Sequence, residues 1–171
     1  MDILIVYSSL TGNTKKVAKG IYEEFKENAD IFSVEEVGDI EDYKYIFVGG
    51  WADKGKIDQK TQHFLKVLKN KRVGLFLTLG AYPYSIHAYS VIVDSTKLLD
   101  DSNTVLGAYI CQGALSPEIL KRFEHLPKDD PHYPSPGKQL RRQIAATHPD
   151  EEDIEKAKKV FRQMVERDID G

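Results

Sequence analysis

The sequence has almost no cysteine and no long apolar segment. Cys111 is the single cysteine, so an internal disulfide bond is impossible. No apolar run comes near the roughly 20 residues that a membrane-spanning helix needs. The first residues also lack the basic stretch of a secretory leader. These absences predict a cytoplasmic protein that does not associate with membranes.

The chain also lacks a marked excess of either charge. It has 24 lysine and arginine residues against 27 aspartate and glutamate residues, for a formal net charge of -3. This balance argues against nucleic acid as a partner, because nucleic-acid-binding domains are usually strongly basic. His125, His132 and His148 are scattered without metal-ligand spacing. We interpret them as surface or capping residues and expect no metal site.

What the 171 residues do contain is an alternation of apolar strands and amphipathic helices. Strands are predicted at residues 3–6, 30–34, 45–48, 73–77 and 104–110. Helices are predicted at residues 15–26, from about 58, from 85 and from about 148, where Pro149 suits the first helical position. Such alternation is typical of an α/β fold with a parallel sheet. A proline-rich stretch at about 114–147 interrupts the pattern, with short helices predicted after Ser116 and at 140–144.

The loop after the first strand carries the clearest functional signal. It contains Ser8, Ser9, Leu10, Thr11, Gly12, Asn13 and Thr14. The first turn of a helix has unpartnered N–H groups and partial positive charge, so a hydroxyl-rich loop at that point suits a phosphate. Gly12 allows the backbone to approach such a ligand closely.

Two common nucleotide motifs are absent from this loop. A P-loop requires a lysine after its last glycine, but Asn13 follows Gly12. The dinucleotide fingerprint requires three spaced glycines, and this loop has one. Hydroxyls and amides without a fixed cation suit a single phosphate monoester. The alternative hypothesis is a helix start whose hydroxyls serve only the backbone.

Residues 9–14, Ser-Leu-Thr-Gly-Asn-Thr, resemble the phosphate loop of flavodoxins. The resemblance implies FMN as cofactor and a three-layer, doubly wound, five-stranded parallel sheet in the flavodoxin-like order 2-1-3-4-5. It covers about residues 1–113 and 148–168. We therefore expect residues 1–171 to form a single flavodoxin-like domain with a Pro-rich insertion at about 114–147. In such sheets ligands bind at the carboxyl ends of the strands, where the strand order reverses.

Loops after two further strands are then expected to reach the flavin. The loop with Trp51, Ala52 and Asp53 would place the indole on one flavin face. Ala52 stands where the family usually has a glycine, and this replacement predicts a costlier turn beside the flavin. The remaining predicted cofactor-binding residues follow the fourth and fifth strands: Leu79, Gly80, Ala81, Tyr82, Tyr84, Cys111, Gln112 and Gly113. Either Tyr82 or Tyr84 could cover the other flavin face, with Tyr82 favoured because Pro83 fixes its extended backbone.

No acid–base pair or nucleophile stands out, so no catalytic residue is predicted. The leading hypothesis is an FMN-binding electron-transfer protein that donates electrons to a partner reductase, because the flavin itself carries the redox chemistry. The first alternative is an FMN-dependent reductase of quinones or other small acceptors that uses NAD(P)H. The second alternative is a flavodoxin-like binding module without a cofactor.

Overall fold

The computed structural model describes residues 2–171 as a parallel sheet with helices on both faces. The strands are β1 (Ile3–Tyr7), β2 (Ala29–Ser33), β3 (Tyr45–Asp53), β4 (Lys56–Ile57), β5 (Arg72–Leu79) and β6 (Thr104–Gln112). The sheet order is β2-β1-β3-β5-β6, and the short β4 pairs antiparallel with the end of β3. With β4 set aside, this is the predicted order 2-1-3-4-5. The predicted fold class is therefore confirmed.

Six helices connect and cover these strands within residues 2–171. They are α1 (Asn13–Phe25), α2 (Gln59–Val67), α3 (Ile86–Thr96), α4 (Pro117–Glu124), α5 (Pro136–Ala145) and α6 (Glu151–Asp170). In this described part of the chain, no helix has both the length and the apolar character to cross a bilayer.

The two faces of the sheet carry separate apolar cores because successive strand residues point to opposite sides. Ile3 and Ile5 of β1 pack with α1 and α6, whereas Leu4 and Val6 pack with α2 and α3. On the α6 side, the Phe161 ring lies 4.6 Å from that of Phe47 by centroids. Continuous apolar strands are thus buried on both faces, as parallel sheets require.

The start of α6 differs from the prediction. Pro149 was expected in the first helical position, but Asp150 is the N-cap and the helix begins at Glu151. Asp150 accepts a hydrogen bond from the Asp153 backbone N–H, and the Asp153 carboxylate accepts one from the Asp150 N–H. This capping box satisfies two helix-start donors and therefore sets the boundary beyond the proline.

The end of β3 also differs, because Trp51, Ala52 and Asp53 were expected in a loop. They continue the strand and form a hairpin with β4, in which Ala52 pairs with Ile57. The two turn residues, Lys54 and Gly55, have φ of 49° and 82°. Two consecutive positive φ values match the right-handed strand twist, so a two-residue turn can close the hairpin here. Ala52 therefore lies in the strand and does not need a positive φ, so the costlier turn expected at Ala52 is absent from this structure.

Lys71 braces the connection between β2 and β3. Its Nζ donates hydrogen bonds to the carbonyl oxygens of Ile40, Glu41 and Tyr43, each at 2.8 Å. We expect Lys71→Met to lower the free energy of unfolding by about 2 kcal/mol, because three carbonyl groups lose a charged donor. Urea denaturation measures the change, and exposed Lys69 gives the control, with Lys69→Met expected within about 0.5 kcal/mol of the parent. Equal stability of the two variants would contradict the bracing role.

Candidate functional site

A cavity of about 340 Å³ opens at the carboxyl edge of the sheet, where the loops after β1, β3 and β5 meet. Ten of the predicted cofactor-binding residues line it: Leu10, Thr11, Asn13, Thr14, Trp51, Ala52, Asp53, Leu79, Gly80 and Gly113. The cavity is thus continuous from the start of α1 to the indole. Its volume lies in the range of sites that hold one small ligand.

The loop between β1 and α1 has the backbone of an anion site. Gly12 is the helix N-cap with φ of 93°, and an added Cβ there would meet no atom within 4 Å. Its requirement for glycine therefore comes from the backbone conformation. Ser9 Oγ accepts hydrogen bonds from the N–H groups of Gly12 and Lys15, so this hydroxyl serves the backbone. Helix geometry leaves the N–H groups of Asn13 and Thr14 without intrahelical partners.

Thr14 joins the loop to the centre of the sheet. Its side chain is buried, and its Oγ1 lies 2.9 Å from Oγ1 of Thr78 in a hydrogen bond. Thr78 also lines the cavity, and the sequence analysis did not single it out. The sequence feature that could have identified Thr78 is that it is the one hydroxyl residue within the apolar strand β5.

Asn13 connects the same loop to the segment after β6. Its Nδ2 donates to the carbonyl oxygen of Ala114 at 2.8 Å, across 101 positions of sequence. An added Cβ at Gly113 would lie 2.7 Å from that nitrogen, so the close contact needs a glycine. The side-chain nitrogen of Asn13 is therefore already used in a hydrogen bond within the protein. Its backbone N–H, at the first position of α1, has no intrahelical partner.

Asp58, the N-cap of α2, holds the Trp51 backbone in place. The Asp58 N–H donates to the Trp51 carbonyl at 2.9 Å, and the Trp51 N–H donates to Asp58 Oδ2 at 3.3 Å. The buried Asp58 carboxylate also accepts from Thr61 Oγ1 and caps α2. Because the Trp51 peptide groups point toward Asp58, those of Ala52 point to the opposite side, toward β5. The partly buried indole lines the cavity from this fixed backbone.

The two tyrosines after β5 lie outside the cavity lining. Tyr82 is 43% exposed and Tyr84 is 94% exposed. Ser85 caps α3, and its Oγ donates to the Tyr82 carbonyl at 2.7 Å, which folds this loop into a compact turn. Ala81, in the same loop, does not line the cavity either.

The other predicted residues form supporting structure behind the cavity. Ser8 is buried and continues the β1–β3 pairing through its N–H and the Gly49 carbonyl. Cys111 and Gln112 are buried at the end of β6. Burial raises the pKa of the Cys111 thiol, so the thiol stays neutral. Within residues 2–171, the Gln112 Nε2 has no hydrogen-bond partner.

One wall of the cavity comes from the segment 114–147, in which the sequence analysis predicted no site residues. Its lining residues are Ala114, Leu115, Ser116, Ile119, Arg122, Phe123, Leu126, Asp130 and His132. The apolar spacing of Ile119 and Phe123 predicted a helix there, but sequence alone did not show what that helix faces. Leu115 packs on the end of β5, since an added Cβ at Gly80 would lie 2.6 Å from Leu115 Cδ2.

Ionisable groups around α6 are engaged in helix capping. His148, Asp150 and Asp153 place potential ligand atoms within 4.8 Å of one another. His148 Nδ1 lies 2.5 Å from Asp153 Oδ2, which is also part of the capping box. The backbone hydrogen bond from Asp153 lowers the pKa of Asp150. His148 thus bonds to a carboxylate of the capping box and caps no backbone group itself.

Comparisons with known proteins point to one family. A family described as flavodoxin domain matches residues 4–162. The flavodoxin-like domain-containing protein BilS of Clostridioides difficile (strain CD3) is 35% identical over 170 residues, covering 96% of this chain and 97% of that protein.

Solved structures show the same arrangement of strands and helices. A flavodoxin from Streptococcus pneumoniae TIGR4 has a TM-score of 0.62 at 13% identity, covering 98% of this chain and 99% of that one. A flavoprotein from Lactobacillus acidophilus NCFM, in complex with FMN, has a TM-score of 0.53 at 19% identity, covering 64% and 92%. At these identities the structures bear on the fold alone, and they confirm it.

The single tryptophan makes the Asp58 contacts measurable. We expect Asp58→Ala to lower the free energy of unfolding by about 1–2 kcal/mol, because α2 loses its cap. The Trp51 fluorescence emission should shift to longer wavelength, because its backbone loses an anchor and the indole becomes more hydrated. Asp58→Asn keeps an oxygen acceptor and should retain most of both properties. Unchanged emission in Asp58→Ala, with stability reduced, would rule out the positioning of Trp51 by Asp58.

Proposed function

The chain belongs to the flavodoxin domain family, and from this membership we propose that it binds FMN and transfers electrons to a partner protein. The carrying observation is a continuous cavity that runs from the loop at the head of α1 to Trp51. That the flavoprotein of Lactobacillus acidophilus was solved with FMN supports the choice of cofactor.

The residues present fit the phosphate of FMN. The unpartnered backbone N–H groups at the start of α1 and the exposed Thr11 hydroxyl are donors suited to a phosphate monoester. Gly12 in its left-handed conformation keeps the approach to these donors open. The phosphate therefore has donors and access at the same end of the cavity.

The rest of the cavity fits a flat aromatic ring. Trp51 supplies an indole surface, and Leu79 and Leu115 add apolar contacts. When bound, FMN would supply the redox chemistry. The protein would hold the phosphate, orient the ring system and exclude water from the faces that it covers.

The size of the cavity favours a carrier over an enzyme with a second small substrate. A volume of about 340 Å³ suits one ligand, so FMN would leave little room for an acceptor molecule beside it. Electrons would then leave through the exposed edge to a protein surface.

Exposed apolar residues at the start of α3 offer a surface for such a partner. Ile86 is 87% exposed and Tyr89 is 68% exposed. Their neighbour His87 lies beside the β3–β4 hairpin, because an added Cβ at Gly55 would lie 3.8 Å from His87 Cε1. The exposed Lys54 of that hairpin would favour a partner with acidic groups around its contact surface.

The phosphate assignment predicts a preference for FMN over riboflavin. We expect FMN to bind at least about tenfold more tightly, because hydrogen bonds to a charged group contribute about 1.5–3 kcal/mol. Thr11→Ala should weaken FMN about tenfold and leave riboflavin nearly unchanged, as measured by calorimetric or absorbance titration. Thr104→Ala, at an exposed position on β6, is the control and should change neither affinity. Equal affinities of the unchanged protein for FMN and riboflavin would reject this phosphate site.

Electron transfer is tested separately from FMN binding. The FMN-loaded protein should consume NAD(P)H slowly when it is alone with quinones as acceptors. Its flavin, once chemically reduced, should be reoxidised rapidly only when a partner reductase is added. Stopped-flow absorbance of the flavin measures both rates. Fast NAD(P)H turnover by the protein alone would favour the FMN-dependent reductase instead.

A further inference from the structure

The wall supplied by α4 contributes an aromatic ring to the cavity. Phe123 lines it together with Leu115, Ile119 and Leu126, and Trp51 lines the same cavity from β3. The tyrosines expected to cover a second ring face, Tyr82 and Tyr84, do not. The aromatic partner of Trp51 in this cavity is therefore on α4.

Phe123 on α4 is held by a stack with two side chains from later parts of the segment, His132 between α4 and α5 and Arg142 on α5. The His132 ring lies parallel to that of Phe123, with 5.1 Å between centroids and 3° between planes. The Arg142 Cζ atom of α5 lies 4.5 Å from the centre of the Phe123 ring, in a cation–π contact. Arg142 Nη2 also donates to the His132 carbonyl at 2.8 Å. Together these contacts fix the orientation of α4 through α5.

Both ends of the segment 114–147 are anchored beside the first turn of α1. Asn13 donates to the Ala114 carbonyl, and Lys16 Nζ donates to the Pro149 carbonyl at 2.5 Å. The Ala114 N–H donates to the His148 carbonyl at 3.1 Å, which joins the two ends directly. The base of the segment is therefore fixed at the loop that would hold the phosphate.

Between these anchors the segment is only lightly buried. No residue of α4 is buried, and Ala145 is the only buried residue of α5. A unit with a fixed base and little buried surface can open at low cost and can be stabilised by a ligand that it contacts.

We propose that α4 is the cover of the FMN ring, with Phe123 packing on the ring system and Arg142 as a positioning residue that holds Phe123 through the stack. This inference rests on the proposed FMN binding and concerns the part of the site that encloses the ring. It assigns to the insertion a role in the cofactor site and leaves Tyr82 and Tyr84 on the outer surface.

The first experiment compares FMN affinities of Phe123→Ala and Tyr82→Ala. Phe123→Ala removes the contact of this side chain with the ring system and should weaken FMN about tenfold. Tyr82→Ala should change the affinity less than about twofold. Phe123→Leu keeps apolar bulk without a ring and should fall between them, and far-UV circular dichroism shows that each variant is folded.

The outcomes separate this inference from the function on which it rests. If the unchanged protein does not bind FMN, both the proposed function and the proposed cover are wrong. If the protein binds FMN but Phe123→Ala leaves the affinity unchanged, or Tyr82→Ala weakens it more strongly, the proposal that α4 covers the ring is wrong while FMN binding stands.

The second experiment follows the position of α4 by limited trypsin digestion. Cleavage after the exposed residues Lys121 and Arg122 should be fast in the free protein and slower with FMN. Inorganic phosphate should give little protection, because α4 would contact the ring and not the phosphate. Equal protection by phosphate, or none by FMN at saturating concentration, would overturn the proposal.

Arg142→Ala tests the positioning role by the same digestion. It should restore cleavage after Lys121 in the presence of saturating FMN, whereas Arg142→Lys, which keeps a cation near Phe123, should recover part of the protection. Gln139→Ala, at an exposed position on α5, is the matched control and should behave like the parent. Full protection in Arg142→Ala would show that the stack does not hold the cover.

Discussion

The hydrogen bonds at the first turn of α1 are the constraint on which the site depends. A parallel sheet places the start of this helix at its carboxyl edge, where the helix keeps unpartnered N–H groups for a ligand. The same turn carries Asn13 and Lys16, whose side chains bind the carbonyl groups of Ala114 and Pro149. One turn of helix thereby organises both the end of the cavity that is proposed to hold the phosphate and the base of segment 114–147, which forms one wall of the cavity.

The opposite end of the cavity is organised by Asp58. Its carboxylate caps α2 and also accepts from the Trp51 N–H, so the register of the β3–β4 hairpin and the start of α2 are coupled. The hairpin turn uses Lys54 and Gly55 at positive φ, which leaves Trp51 on extended backbone. A ring bound beside the indole would therefore meet a surface that strand pairing holds in place, and this rigidity suits a protein whose cofactor carries the chemistry.

The segment 114–147 supplies a wall of the cavity beyond the loops after β1, β3 and β5. Its helices bury few residues, and the stack of Phe123, His132 and Arg142 connects α4 to α5. A wall of this kind limits the space beside a bound ring and agrees with the proposed exchange of electrons with a protein surface.

The sequence by itself determined the alternation of strands and helices, the caps at Ser85 and Ser116 and the loop at the head of α1, because apolar period, capping residues and glycine conformation are local properties. Only the tertiary structure decided that Thr78 pairs with Thr14 and that the hairpin, not a loop, carries Trp51. It also decided that α4, and not Tyr82 or Tyr84, lines the cavity. Those outcomes depend on contacts between residues far apart in sequence, such as the 101 positions between Asn13 and Ala114, which no local pattern encodes.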